Sequence, residues 1–142
     1  MADTMTKDGN WKPVRTDGFI SLMGPLLRST QLEERNTFGL QTNETHRNHI
    51  GIVHGGVLTS LLDQVIAIVA WNAADRQPTV TVQMDTRFLG AAKVGDFLEI
   101  RPKIRHATRS LMFVDAEITA VSGMIASASA IMKITASTGK AA

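Results

Sequence analysis

The sequence predicts an α+β domain in which one long helix is wrapped by an antiparallel sheet. Three observations lead there. Gly55 to Asp75 runs without proline, with no glycine after Gly56, and is far too long for a strand. Beyond Pro78 the apolar period changes from helical to two. The last alternating run has Ala126, Ala128 and Ala130 on its inward side, which leaves room for a helix to lie close.

Along the chain, Met1 to Lys12 is polar and carries Asp3, Lys7 and Asp8 where a signal peptide needs an apolar core. Residues 1–17 are therefore expected to form a flexible arm, 18–135 a single domain and 136–142 a frayed tail. Gly18 to Leu27 reads as a short apolar helix or turn broken at Gly24-Pro25, and Arg28 to Gln31 as the first strand. Asn36 to Thr45 places Phe38, Leu40, Thr42 and Glu44 on one side of a strand that enters a polar loop, His46 to Gly51.

In the long helix, the face of Asp63 also holds Gly56, Thr59, Ser60, Ile66, Ala67, Ala70 and Ala74, mostly small or polar at 100° per residue. The opposite face, with Val57, Leu58, Leu61, Val65, Ile68 and Val69, asks for a large apolar cover such as a sheet. Four strands follow: Thr79 to Leu89, Leu98 to Ile104, Met112 to Ile118 and Met124 to Ile134, with turns at Gly95-Asp96 and Ser122-Gly123. Read as consecutive neighbours, they make an antiparallel meander. Pro102 marks an edge or a bulge.

The 142 residues, 44% of them hydrophobic, suffice for one core and leave little room for a second domain. Fifteen Lys and Arg against thirteen Asp and Glu are scattered, so no nucleic-acid partner is expected. Val57 to Ala74 is interrupted by Thr59, Ser60, Asp63, Gln64 and Asn72, so no membrane span is expected either. Without cysteine there is no disulfide framework and no thiolate nucleophile, which suits a cytoplasmic location.

Candidate chemistry gathers at the start of the helix. Gly55 and Gly56 open it, where amide groups lack intrahelical partners and the dipole is positive, an arrangement suited to a carbonyl oxygen that gains negative charge. A plain turn and cap accounts for the same glycines. Asp63 stands among apolar residues, where an ionised carboxylate is costly without compensation. Asn48, His54 and Thr81 supply polar groups on either side, each of which also has an ordinary structural use. His46, His49 and His54 raise a zinc site, but HExxH is absent, and neither metal nor cofactor is expected.

The segment Asn48-His49-Ile50-Gly51-Ile52-Val53-His54-Gly55-Gly56, with Asp63 and Thr81, resembles the hotdog-fold acyl-CoA thioesterases of the phenylacetate-pathway type. It has an Asn six residues before the His of HGG, an Asp nine residues after that His and a Thr eighteen residues after the Asp. The similarity spans about residues 35–135. It implies a hotdog fold and hydrolysis of an acyl- or aryl-CoA thioester. It also implies a homo-oligomer, a dimer or dimer of dimers, with Asp63 as base or nucleophile and Asn48, His54, Gly56 and Thr81 as its catalytic companions. Gly55, Ser60 and Ile66, with Ala70 and Trp71, are expected along the substrate, and Arg105 and Arg109 at the coenzyme A phosphates. Gly56 and Asp63 are about 10 Å apart along one helix at 1.5 Å per residue, too far for one short side chain and one water. The resemblance resolves this by pairing subunits, so that Asn48, His54 and Gly56 of one face Asp63 of the other. Where relatives carry Arg-Pro, this chain reads Phe88-Leu89-Gly90-Ala91-Ala92. Two alternatives remain from the sequence: an acyl-CoA-binding hotdog module without turnover, and a hotdog hydratase or dehydratase.

Overall fold

The computed structural model describes residues 9–135. The expected tail, 136–142, and the first eight residues of the expected arm lie outside the described residues. The strands are β1 (Trp11–Pro13), β2 (Leu27–Ser29), β3 (Phe38–Gln41), β4 (Thr79–Phe88), β5 (Phe97–Ala107), β6 (Leu111–Ala120) and β7 (Gly123–Ile134), and the helix is α1 (Gly55–Ala73). One seven-stranded sheet has the order β1-β2-β3-β5-β6-β7-β4, and every pairing in it is antiparallel.

The helix lies against β4, β5, β6 and β7. Met112, Val114, Ala116 and Ile118 of β6 and Ala126, Ala128, Ala130 and Met132 of β7 are buried beneath it, as the alternation predicts. The opposite face of the sheet is charged, with Arg101 paired to Glu117 and Lys103 to Asp115 in register. Each alanine in β7 lets the helix approach where a larger side chain would hold it off. By length and composition α1 is apolar enough to cross a membrane, but Leu58, Leu61, Leu62, Val65 and Val69 are spent in this core.

Several expectations are corrected. The arm is not loose over its whole length, because Trp11–Pro13 forms β1 and pairs with β2. Trp11 packs edge-on against Phe97 at 5.0 Å, and Gly39 beneath these rings has no room for a Cβ. The segment expected as the first strand is thus the second, and it begins at Leu27. The strand expected over Asn36 to Thr45 ends at Gln41. Thr42 turns inward to donate its hydroxyl to the Asp96 carbonyl at 2.7 Å, and Glu44–His46 forms a 3-10 helix capped by Asn43.

The meander holds only for β5, β6 and β7. β4 pairs with β7 rather than with β5, so the chain crosses the sheet between Phe88 and Phe97. Gly90 makes the first bend of that crossing. Its N–H donates to the Ile125 carbonyl at 3.1 Å, and a Cβ there would stand 2.7 Å from the Met124 carbonyl oxygen. Pro102 falls beyond the reach of β3, whose partners in β5 end at Ile100, so its missing N–H breaks no ladder there.

Ile66 and Ala70, assigned from the sequence to the Asp63 face, are both fully buried. The covered side of the helix is turned toward Leu62, Ile66 and Ala70 and away from Val57 and Ile68, which are only half-buried. Ile66 is therefore a core residue of this chain. β4 shows the reverse. A register shift between Thr81 and Gln83 breaks its alternation, and Val80, Val82 and Phe88 are all about half exposed.

Candidate active site

The loop before the helix is a small structure held by its own polar groups. His46 is buried, with Nδ1 accepting from the Asn43 N–H at 2.9 Å and Nε2 bonded to the Met23 carbonyl at 2.7 Å. Both ring nitrogens are thereby engaged in the fold. The Asn48 Oδ1 accepts from the N–H groups of Ile50 and Ile52, at 3.0 and 3.2 Å, while Gly51 takes a positive φ of 98° that closes the turn. The carbonyl end of Asn48 is thus committed to loop shape. Its amide NH2 has no partner among the described residues.

His54 is the N-cap of α1. Its Nδ1 accepts from the Gly56 N–H at 2.8 Å, which requires that nitrogen to be unprotonated. The sequence expectation of two open amide donors is therefore corrected. In this structure the Gly56 donor is occupied by His54, whereas the Gly55 N–H has no partner among the described residues. The Phe88 ring lies near Gly55, where a Cβ would sit 3.4 Å from the ring. This is what the Phe88-to-Ala92 departure places at the helix start: an aromatic wall, followed by a buried Ala92 whose carbonyl accepts from the Val53 N–H at 2.9 Å. Sequence reasoning missed Phe88 as a site residue. The unusual segment was visible, but the spatial neighbour of its ring was not.

Asp63 is exposed, two turns along the helix. The Thr81 hydroxyl on β4 donates to its Oδ1 at 2.9 Å, so the structure brings together this pair at the expected spacing. One carboxylate oxygen is fixed by a hydroxyl and the other is left to a water or a substrate. Ser60, half-buried, lies one turn before Asp63 on the same stripe. The helix is uninterrupted from Gly55 to Ala73, so the separation of about 10 Å between Gly56 and Asp63 stands within one chain.

Arg105 and Arg109 are not brought to the helix start of this chain. Arg105 Nε pairs with Asp115 Oδ2 at 3.1 Å on the charged face of the sheet, and Arg109 lies exposed in the turn between β5 and β6. That turn adjoins the end of β7 and the beginning of β4, the opposite end of the sheet from Phe88 and Gly56.

The fold and this site define a class. Residues 50–127, more than half of the chain, match the family model described as the thioesterase superfamily, and the chain belongs to that family. It is a hotdog-fold thioester hydrolase. A Pseudomonas aeruginosa protein named as an esterase is 30% identical over 121 residues, covering 84% of this chain and 90% of that protein. The mouse acyl-coenzyme A thioesterase 13 is 23% identical over 105 residues, 74% of this chain and 75% of that one. Among solved structures, a Streptococcus pneumoniae thioesterase with coenzyme A is similar at a TM-score of 0.66 and 28% identity, covering 70% of this chain and 79% of that chain.

Proposed function

We propose that the protein hydrolyses an acyl-CoA thioester to a carboxylic acid and free coenzyme A, in a dimer whose sites are each shared between two chains. The Thr81–Asp63 pair carries the reading: a hydroxyl-held carboxylate on an exposed helix face, one helix start away from where an oxyanion could be received. The names of the relatives support coenzyme A as the leaving group. The second chain is supported by β4, an edge strand with Val80, Val82 and Phe88 exposed. Its unpaired backbone groups and apolar side chains suit a second copy of the same strand.

In this reading Thr81 holds Oδ1 of Asp63 while Oδ2 faces the thioester. Acting as base, Oδ2 takes a proton from water as the water oxygen bonds to the carbonyl carbon. Acting as nucleophile, it bonds to that carbon itself, and departure of the thiolate leaves an anhydride that water then opens. Either way the carbonyl oxygen becomes an anion, received by the Gly55 N–H of the other chain, and by Gly56 once His54 turns away. The C–S bond breaks with its electron pair going to sulfur, and the thiolate takes a proton, from the Asp63 carboxyl in the first route and from water in the second, to leave as the thiol of coenzyme A. Asn48, its oxygen engaged in the loop, offers its NH2 to the carbonyl or the water. Release of free thiol from a panel of acyl-CoA thioesters tests the reading. No release from any of them sinks it.

Thr81→Val removes the hydroxyl at nearly constant shape and is expected to lower kcat about 10-fold, the loss of one hydrogen bond to a charged group. Thr81→Ser should restore most of the rate, and an unchanged kcat in Thr81→Val would show that Asp63 needs no such support. Treatment with EDTA is expected to leave activity unchanged, because the chemistry needs a carboxylate and amide donors, and His46 is already bonded through both nitrogens. Activity lost to EDTA and regained with zinc would reinstate a histidine metal site.

A further inference from the structure

His46 is the one titratable side chain buried among the described residues, 3% exposed, and the proposed chemistry makes no use of it. All four of its polar groups are engaged, with three separate parts of the chain. Its N–H donates to the Asn43 carbonyl at 3.0 Å, and its carbonyl accepts from the His54 N–H at 2.8 Å. In the ring, Nδ1 accepts from the Asn43 N–H at 2.9 Å, and Nε2 meets the Met23 carbonyl at 2.7 Å. A carbonyl only accepts and a backbone N–H only donates, so the ring is neutral with its proton on Nε2.

These bonds clip the loop of the site to a distant segment. Met23 ends the 3-10 helix Gly18–Met23, which buries Ile20 and Met23, and Gly24 turns the chain there with a φ of 94°. Arg47 bridges Val53 in the antiparallel sense, so residues 47–53 form a loop whose base is closed by that bridge and by the bond from His54 to His46. His54 in turn holds the Gly56 N–H through its Nδ1 at 2.8 Å. A short path therefore runs from the buried imidazole, through the main chain of His46 and the N–H of His54, to the amides that open α1. Asn48 hangs from the same loop, between the two histidines.

Resting on the thioesterase reading, we propose that His46 is a positioning residue: its imidazole, bonded to Met23, sets the aim of the Asn48 NH2 and of the amides at the start of α1 toward the thioester carbonyl. Being buried, it offers no surface to the substrate itself. A small loss of aim falls on the rate more than on binding, because those donors act on charge that forms only during the reaction.

Two variants part the two ring bonds. In His46→Gln the side-chain amide can stand where Nε2 stands and still donate to the Met23 carbonyl. In His46→Asn the shorter amide can accept from the Asn43 N–H in place of Nδ1 but falls short of Met23. His46→Asn is expected to lower kcat about 10-fold and to change KM less than about 3-fold, with His46→Gln keeping kcat within about 3-fold of the wild type. Melting curves set an assay temperature at which both are folded. An unchanged kcat in His46→Asn overturns the proposal, and so does an equal loss in both variants or a change confined to KM.

Amide hydrogen exchange reads the same clip without turnover. The His54 and Gly56 N–H groups are expected to exchange about 10-fold faster in His46→Asn than in the wild type and at nearly the wild-type rate in His46→Gln, while Val65 and Val69 inside the helix stay protected. Equal exchange in the wild type and His46→Asn rejects the clip. If the wild type releases thiol from no acyl-CoA, the thioesterase reading fails separately, and exchange alone judges whether His46 fixes the loop. Nitrogen-15 spectra of the wild-type imidazoles are expected to show His46 protonated at Nε2 only. A ring protonated at Nδ1 overturns the assignment even if neither variant folds.

Discussion

Asp63→Asn is expected to lower kcat by about 100-fold or more while leaving substrate affinity and thermal stability near those of the wild type. The amide has almost the shape of the carboxylate, and its oxygen can still accept from the Thr81 hydroxyl, which bonds Oδ1 at 2.9 Å. What it lacks is a basic or nucleophilic oxygen at the Oδ2 position. Because Asp63 is exposed, removing its charge leaves no buried partner unpaired, so a fall in activity reads as chemistry rather than unfolding. Thiol release under saturating substrate measures kcat directly, and melting curves report the fold. A variant that turns over at nearly the normal rate would remove Asp63 from the mechanism.

Mixing two inactive variants is expected to recover activity. Asn48→Ala spoils the loop that faces the carbonyl, and Asp63→Ala spoils the carboxylate, so each homodimer has two broken sites. If each site takes its loop from one chain and Asp63 from the other, a mixed dimer contains one intact site and one that is doubly broken. Unfolding and refolding an equal mixture gives about half mixed dimers, hence about a quarter of wild-type activity when assembly is random and sites are independent. The separation of about 10 Å between Gly56 and Asp63 on an unbroken helix is the reason for expecting this. Differently tagged chains show whether mixed dimers formed. Should they form and the mixture stay as inactive as its parents, Asp63 acts within its own chain or not at all.

The candidate site was legible as a spacing and less so as an arrangement. Asn48, His54, Asp63 and Thr81 stood at matched intervals, and the structure sets the Thr81 hydroxyl directly on Asp63. The Asn48 oxygen is instead committed to Ile50 and Ile52, and His54 caps Gly56. Side chains in a short loop choose among several nearby backbone groups, and the choice depends on torsions that residue type alone leaves open. Arg105 was likewise free in the sequence and is paired with Asp115 across the strands in the fold.

The sequence by itself determined the long helix, which the structure bounds at Gly55–Ala73, and the alternation of β5, β6 and β7, because side-chain period is a property of local backbone geometry. It also determined the alanine row that lets helix and sheet approach. Only the tertiary structure decided that β4 lies beside β7, that Trp11–Pro13 joins the sheet as β1, that Ile66 belongs to the core, and that Trp71 and Thr79 line one hollow. These depend on which distant segments pair and which side of the helix the sheet covers. A strand's period states that one face is apolar but not which neighbour will cover it, so strand order and the covered side of the helix are settled only when all the elements pack together.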